Sequence, residues 1–281
     1  MFYLTEEIEK QWKRLSTQLR INIIKSLYLA GSGHPGGSLS AIDILVALYW
    51  GFLKHNPKNP EEPDRDRFIL SKGHGCPALY VILAKWGYFR EEELWNLRKM
   101  HGILQGHPDR LKTPGVEVSA GSLGHGLAVG LGMALAAKLD KKNVKIYVML
   151  GDGEMQEGEI WESLMACGHY KVDNLCAILD NNDLQIDGVV SKVMNIYPLK
   201  EKIESFGWYY LEIDGHNFYQ IVGAFNQFEQ IKNKPTFIRA KTIKGKGVSF
   251  MENAVDWHGK APNKEEAEKA IKELEKSLLT L

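Results

Sequence analysis

Cysteine is scarce in this chain of 281 residues: three thiols, Cys76, Cys167 and Cys176, odd in number and far apart. No two of them have the spacing of a metal or redox pair. That excludes a disulfide framework and a soft-metal cluster, and it fits a reducing compartment. Net charge is also missing, since 35 basic residues balance 35 acidic ones. No broad field is therefore expected for nucleic acid or a membrane surface. The longest small-apolar stretch, residues 126–137, is too short and too rich in glycine to cross a bilayer. The opening MFYLTEEIEKQWKR lacks the apolar centre of a signal peptide. Repeats and low-complexity tracts are absent. A soluble cytoplasmic chain with one large α/β domain is the expectation.

What is present is concentrated between residues 144 and 188. Residues 144–150 form an apolar run with β-branched and aromatic side chains, as a buried strand does, and Gly151-Asp152-Gly153 follows directly. Ile160, Trp161, Leu164, Met165 and Cys167 then recur at helical spacing. Residues 175–179 are a second apolar run, ending at Asp180-Asn181-Asn182. The pattern reads as strand, helix, strand, joined as a right-handed crossover. Ligands of an open α/β sheet collect beyond the carboxyl ends of its strands. Asp152 and Asn182 are expected to face each other there, as hard oxygen donors suited to Mg²⁺ or Ca²⁺. The flanking glycines and the following helix N-terminus favour a phosphate. A metal–diphosphate site is the expectation, against a plain hairpin turn at Asp152-Gly153 and a loop at Asn181-Asn182.

The GDG…NN pattern resembles the thiamine-diphosphate signature. GDGEMQEGEIWE, GHYKVDNL and LDNNDLQIDG resemble the transketolase family specifically, and the resemblance runs over residues 16–262. It implies a thiamine-diphosphate-binding fold, with thiamine diphosphate and Mg²⁺ (Ca²⁺ or Mn²⁺ as substitutes) as cofactors. It implies Asp152, Asn182 and the main-chain oxygen of Leu184 as metal ligands. Gly153 is expected to offer its amide to the diphosphate, and Ile186 to pack against the cofactor. Glu157 matches an interface glutamate of the family; alternatively it is a solvated carboxylate in a first helical turn.

Upstream, Leu15, Leu19, Ile23 and Leu27 share one helix face. The following GSGHPGGS contains G-x-G-x-x-G, but a helix and not a strand precedes it, and Pro35 is expected to interrupt the loop. A dinucleotide site is therefore rejected. The segment instead resembles the family's loop that sets a histidine over the substrate, which gives His34 that role and puts Gly37 near the thiazolium. In SKGHG, His74 is either a structural loop histidine or, by resemblance, a ligand of diphosphate or substrate hydroxyls. Lys72 there adds charge near phosphate or is solvated. His107 in GILQGHPDR resembles the family's donor-binding histidine. Gly121 and Leu123 match the segment against the cofactor rings. His101 and His125 receive no role.

Downstream, residues 208–213 and 235–243 read as strands and 218–231 as an amphipathic helix. Lys244-Gly245-Lys246-Gly247 is either a phosphate loop or an exposed turn; the resemblance assigns Lys244 to the cofactor. His258 in DWHGKAP matches an active-site histidine, with Lys260 departing from the family's segment. The chain is read as a diphosphate-binding domain over 1–262 and an amphipathic helix over 263–281, opened by an Asn263–Glu266 cap. Residues 68–70 read as a further short strand, and five strand candidates alternating with helices imply a mostly parallel, doubly wound sheet.

The implied chemistry is two-carbon ketol transfer between sugar phosphates, the cofactor acting as electron sink. Histidine suits the proton transfers because its ordinary pKa of about 6.5 lies near working pH. His34 and His258 are assigned that work, and His74 and His107 the holding of hydroxyls. The family's pyrimidine-binding domain has no counterpart in this sequence. A C-terminal subunit carrying it is the expected partner, in an α2β2 assembly. Rival readings are a 2-oxo acid dehydrogenase α-like chain, a deoxyxylulose-phosphate synthase-like fragment, or a non-catalytic cofactor-binding chain.

Overall fold

A computed structural model describes all residues, 1–281. Helix α1 (Glu6–Ala30) starts at Thr5, whose hydroxyl caps the Ile8 amide, and stops at Gly31, which adopts the left-handed conformation that a side chain would resist. Helix α2 (Pro35–Gly51) follows at once. Pro35 does not interrupt this loop: it occupies the first helical turn, where a missing N–H costs nothing. Nearly every residue of α2 is buried, so it runs through the core rather than along the surface.

Strand β1 (Arg67–Leu70) leads into α3 (Cys76–Trp86), and a loop-rich stretch then leads to α4 (His125–Leu139). Within that stretch Glu91–Asn96 forms a 3₁₀ segment. Strand β2 (Ile146–Gly151), α5 (Gly158–His169) and β3 (Leu175–Asn181) form the expected crossover. A small hairpin of β4 (Leu184–Gln185) and β5 (Gly188–Val189) follows, then short helices α6 (Val190–Val193) and α7 (Leu199–Ser205). The chain ends with β6 (Tyr209–Asp214), α8 (Phe218–Gln230), β7 (Thr236–Lys241) and α9 (Lys264–Leu278).

The main sheet has five strands in the order β1-β2-β3-β7-β6, all parallel. Its central strands are buried on both faces, which is why β2 and β3 read as continuous apolar runs. Alternate residues feed two separate cores. Tyr147, Met149, Cys176 and Ile178 pack against α1, α2, α3 and α8. Ile146, Val148, Ala177 and Leu179 pack against α4, α5 and α7. Strand order reverses between β6 and β7, so a right-handed crossover must carry α8 to the opposite face from α7. Helix α9 lies against α1 through Ala267, Ala270 and Leu274. The three cysteines are free and buried, Cys76 and Cys176 in the first core and Cys167 in the second.

Candidate functional site

Beyond the carboxyl ends of the strands, the chain leaves β1 toward α3 on one face and β2 toward α5 on the other. A crevice must open where neighbouring connections diverge. A cavity of about 450 Å³ lies there. Every residue singled out as a candidate lines it: the glycines Gly37, Gly121 and Gly153, the histidines His34, His74, His107 and His258, and Leu123, Asp152, Asn182, Leu184, Ile186 and Lys244.

The acidic and amidic strand tips are neighbours, because β2 and β3 pair with Gly151 opposite Asp180. Their contact differs from the expected one. Asp152 Oδ2 accepts from the backbone N–H groups of Asn182 (2.7 Å) and Asp183 (2.9 Å), and Oδ1 accepts from the Asn181 side-chain amide. Asn181, not Asn182, therefore faces Asp152 with its side chain; the Asn182 Oδ1 accepts from the Leu184 amide at 3.3 Å. Asp152 is buried, and burial pushes its carboxyl up to about 7, against the pull of the Asn181 and Asn182 donors. It forms no ion pair with any basic residue. A buried carboxylate without a counter-charge is costly, and a cation placed on it would relieve that cost.

Lys244 is the complementary feature. It is only 2 % exposed, and no carboxylate pairs with it. Its Nζ donates to the Leu184 carbonyl (3.4 Å) and meets His258 Nδ1 at 2.9 Å. Burial and the nearby Lys72 lower its pKa to about 8, so it stays a cation at neutral pH. The exposed-turn reading of residues 244–247 fails at Lys244. A half-wrapped ammonium of this kind fits an anion such as a diphosphate.

Four histidines converge above. The His34 ring centroid lies 5.4 Å from that of His74, 6.4 Å from His107 and 5.6 Å from His258, and His74 lies 5.1 Å from His258. Burial, with Arg98 and the neighbouring His107 and Lys244, lowers His34 to about 4. Burial and Lys244 lower His258 to about 3, and burial with Lys72 takes His74 well down. His107 is lowered by burial and Arg98. All four thus lie below the ordinary value near 6.5 from which the proton-transfer reading starts. Because Lys244 donates to Nδ1 of His258, the ring proton belongs on Nε2. His34 Nδ1 is buried without a partner, so its tautomer is not fixed by the protein.

Two interactions carried little trace in the sequence. Lys72 is not solvated: it is 1 % exposed and pairs with fully buried Asp180, while donating to the Gly37 carbonyl at 2.8 Å. Asp180 also accepts from Ser40 (2.6 Å) and Thr242, so one carboxylate ties the ends of β1, β3 and β7 to α2. Glu154 is also buried. It accepts from Ser71, from the Gly124 amide (3.0 Å) and from the Gly151 amide (3.2 Å), clamping three loops of the cavity wall. An SK dipeptide after a strand and a glutamate inside GDGE were the only signals. Glu157 is exposed, lines the cavity, and stands just before α5 rather than in its first turn. Ile186 sits at the hairpin tip, 68 % exposed at the cavity wall. His125 pairs with Glu159 away from the cavity, and Lys260 pairs with Glu266 (2.6 Å) over the Trp257 ring.

Residues 11–276 match the family described as transketolase, thiamine diphosphate binding domain. The chain is 43% identical over 259 residues to an apulose-4-phosphate transketolase subunit from Phocaeicola vulgatus, covering 92% of each. It is 43% identical over 269 residues to the 6-deoxy-6-sulfo-D-fructose transketolase subunit SqwG of a Clostridium species, covering 94% of this chain and 98% of that one. Human transketolase is 42% identical over 265 residues, but the match covers 42% of that protein. Among solved structures, transketolase from Campylobacter jejuni superposes with a TM-score of 0.89 at 36% identity, over 94% of this chain and 43% of that one. The chain thus spans less than half of such full-length transketolases and nearly all of the two shorter relatives. Fold, buried strand-tip carboxylate, histidine cluster and sequence agree: the chain belongs to the transketolase family, as its N-terminal, thiamine-diphosphate-binding domain.

Proposed function

We propose that this chain is the diphosphate-binding half of a two-chain transketolase, which transfers a two-carbon ketol group from a ketose phosphate, or a similarly anionic ketose, to an aldose phosphate. One observation carries this reading. An unpaired buried carboxylate, Asp152, and an unpaired buried ammonium, Lys244, share one cavity beneath four histidines. Those are the complementary charges that a divalent cation and a diphosphate would satisfy. Asp152, Asn182 and the Leu184 carbonyl would hold Mg²⁺, with Lys244, His74 and the Gly153 amide on the diphosphate. Gly37, Gly121, Leu123 and Ile186 would form walls for the cofactor rings. When bound, thiamine diphosphate supplies an electron sink for breaking the bond next to a carbonyl.

The chain's own residues would manage protons and hydroxyls. His258, with its proton held on Nε2 by Lys244, is placed to donate a hydrogen bond to a substrate oxygen. His34, with no fixed tautomer, is the group able to accept a proton from a sugar hydroxyl. His74 and His107 would orient hydroxyls. Low pKa values keep all four neutral near pH 7, so each ring can donate one hydrogen bond and accept another without a standing charge.

The two shorter relatives support a partner that carries the pyrimidine-binding domain, in an α2β2 assembly whose obligate interface would exceed about 2,000 Å². The sugars in their names, apulose-4-phosphate and 6-deoxy-6-sulfo-D-fructose, widen the donor candidates beyond pentose phosphates. The three buried free thiols support a cytoplasmic setting. No helix is long and apolar enough to cross a membrane. The test is ketol transfer by this chain co-purified with a chain carrying the pyrimidine-binding domain. A panel would offer xylulose 5-phosphate, apulose-4-phosphate, 6-deoxy-6-sulfo-D-fructose and pyruvate as donors. Transfer from a ketose and none from pyruvate is expected. Use of pyruvate alone would move the chain to the 2-oxo acid enzymes, and tight cofactor binding without any transfer would make it a binding chain.

A further inference from the structure

Outside the cavity, a second cluster of buried charged groups lies beneath α2. Arg20 of α1 makes two hydrogen bonds to Asp43 of α2, Nη1 to Oδ1 at 3.0 Å and Nη2 to Oδ2 at 2.7 Å. It also donates to the Leu39 carbonyl from Nε at 3.3 Å and from Nη2 at 3.2 Å. Burial alone would push the Asp43 carboxyl up, but Arg20 and His216 more than offset it and hold the group ionised. The same Oδ2 meets His216 Nδ1 at 2.7 Å. His216 stands in the turn between β6 and α8, and on its other side Nε2 lies 2.9 Å from the backbone N of Ile243.

These contacts fix the chemistry of the ring. A backbone N–H can only donate, so Nε2 must be the unprotonated nitrogen and Nδ1 carries the hydrogen toward Asp43. Asp43, itself held by Arg20, thereby sets the tautomer that lets His216 accept from Ile243. The next residue is Lys244. Its turn is held from two further sides: the Thr242 amide donates to the Asn181 carbonyl at 2.9 Å, and the Gly245 amide to the Gly36 carbonyl at 3.0 Å. A Cβ on Gly215 would lie 2.6 Å from Thr242 Cγ2 and 3.1 Å from the Lys241 carbonyl, so the His216 turn sits tight against the end of β7.

We propose that His216 is a positioning residue for the cofactor cavity. Through the Ile243 amide it holds the turn that aims Lys244 at Leu184 and His258. It touches neither the cavity nor any of its lining histidines, so an effect of its removal on the cavity must pass through that turn.

Two substitutions separate its two bonds. His216→Asn keeps a donor for Asp43 but places no acceptor at Ile243. His216→Gln places an amide oxygen where Nε2 was. Amide hydrogen exchange of the full chain, without cofactor, is the first readout. H216N is expected to speed exchange at Ile243 at least about fivefold, the factor given by a net hydrogen bond of about 1 kcal/mol. H216Q is expected to restore protection. The second readout is the ¹⁵N spectrum of the His258 ring, which in wild type should show protonated Nε2 and unprotonated Nδ1. H216N is expected to mix the tautomers and H216Q to recover the wild-type pattern. Unchanged exchange at Ile243 in H216N, or a wild-type His258 spectrum in it, would overturn the proposal. Should H216N fail to fold, H216A takes its place: faster exchange at Ile243 in the folded chain supports the role, and wild-type protection there overturns it. A third readout rests on the proposed function: thiamine diphosphate affinity of the two-chain enzyme should fall in H216N and return in H216Q. The first two need no cofactor, so they stand or fall apart from that reading.

Discussion

Asp152 and His258 carry the sharpest expectations at the residue scale. Asp152→Ala should abolish Mg²⁺-dependent binding of thiamine diphosphate in the two-chain enzyme, measured by calorimetric titration; unchanged affinity would remove the metal assignment. His258→Ala should lower turnover by about 10²–10⁴, the usual range for a positioned proton-transfer group, with cofactor affinity little changed. Lys72 and Asp180 make a different case. Replacing Lys72 by Met leaves Asp180 buried without its cation, which should cost about 3–5 kcal/mol in a urea melt. The histidines of the cavity carried their own signal, since each stands in a short motif. Lys72 did not, because its partner lies 108 positions away and only the folded sheet brings them together. Nor did the three bonds of Glu154, since a glutamate after GDG looks in sequence like a first-turn helix carboxylate.

At the scale of elements, α4 is held close to the sheet by its small residues. A Cβ on Gly130 would lie 2.7 Å from Val148 Cγ2 of β2. Gly130→Val should therefore destabilise the fold by about 1–3 kcal/mol through overpacking, read as a lower denaturation midpoint at unchanged slope. At Gly132 the same helix has open space, and Gly132→Ala should cost nothing and gain helix propensity. Strands β2 and β3 were legible because burial on both faces demands apolar runs. The hairpin over Leu184–Val189 was not, because two-residue strands leave no periodicity to read. Pro35 misled for a related reason: in sequence a proline looks like a break, and only the chain's position after Gly31 shows that it begins a helix.

For the molecule as a whole, four depressed histidines have a consequence for acid stability. His34 at about 4 and His258 at about 3 lie below the ordinary 6.5. Between those values the unfolded chain binds protons that the folded chain refuses, so stability falls as pH drops from about 6.5 toward 4. Urea melts across that range should show it. The double variant His34→Asn/His258→Asn should flatten the dependence, and an unaltered slope would refute the assignment.

The three interior thiols offer a practical dividend. Burial holds Cys76 and Cys167 up to about 12, so the folded chain should ignore alkylating reagents at neutral pH. Cys76 sits on one side of the sheet and Cys167 on the other. Timed labelling followed by peptide mass mapping would thus act as a pair of clocks, showing whether the layers on either side of the sheet breathe together or come apart in turn.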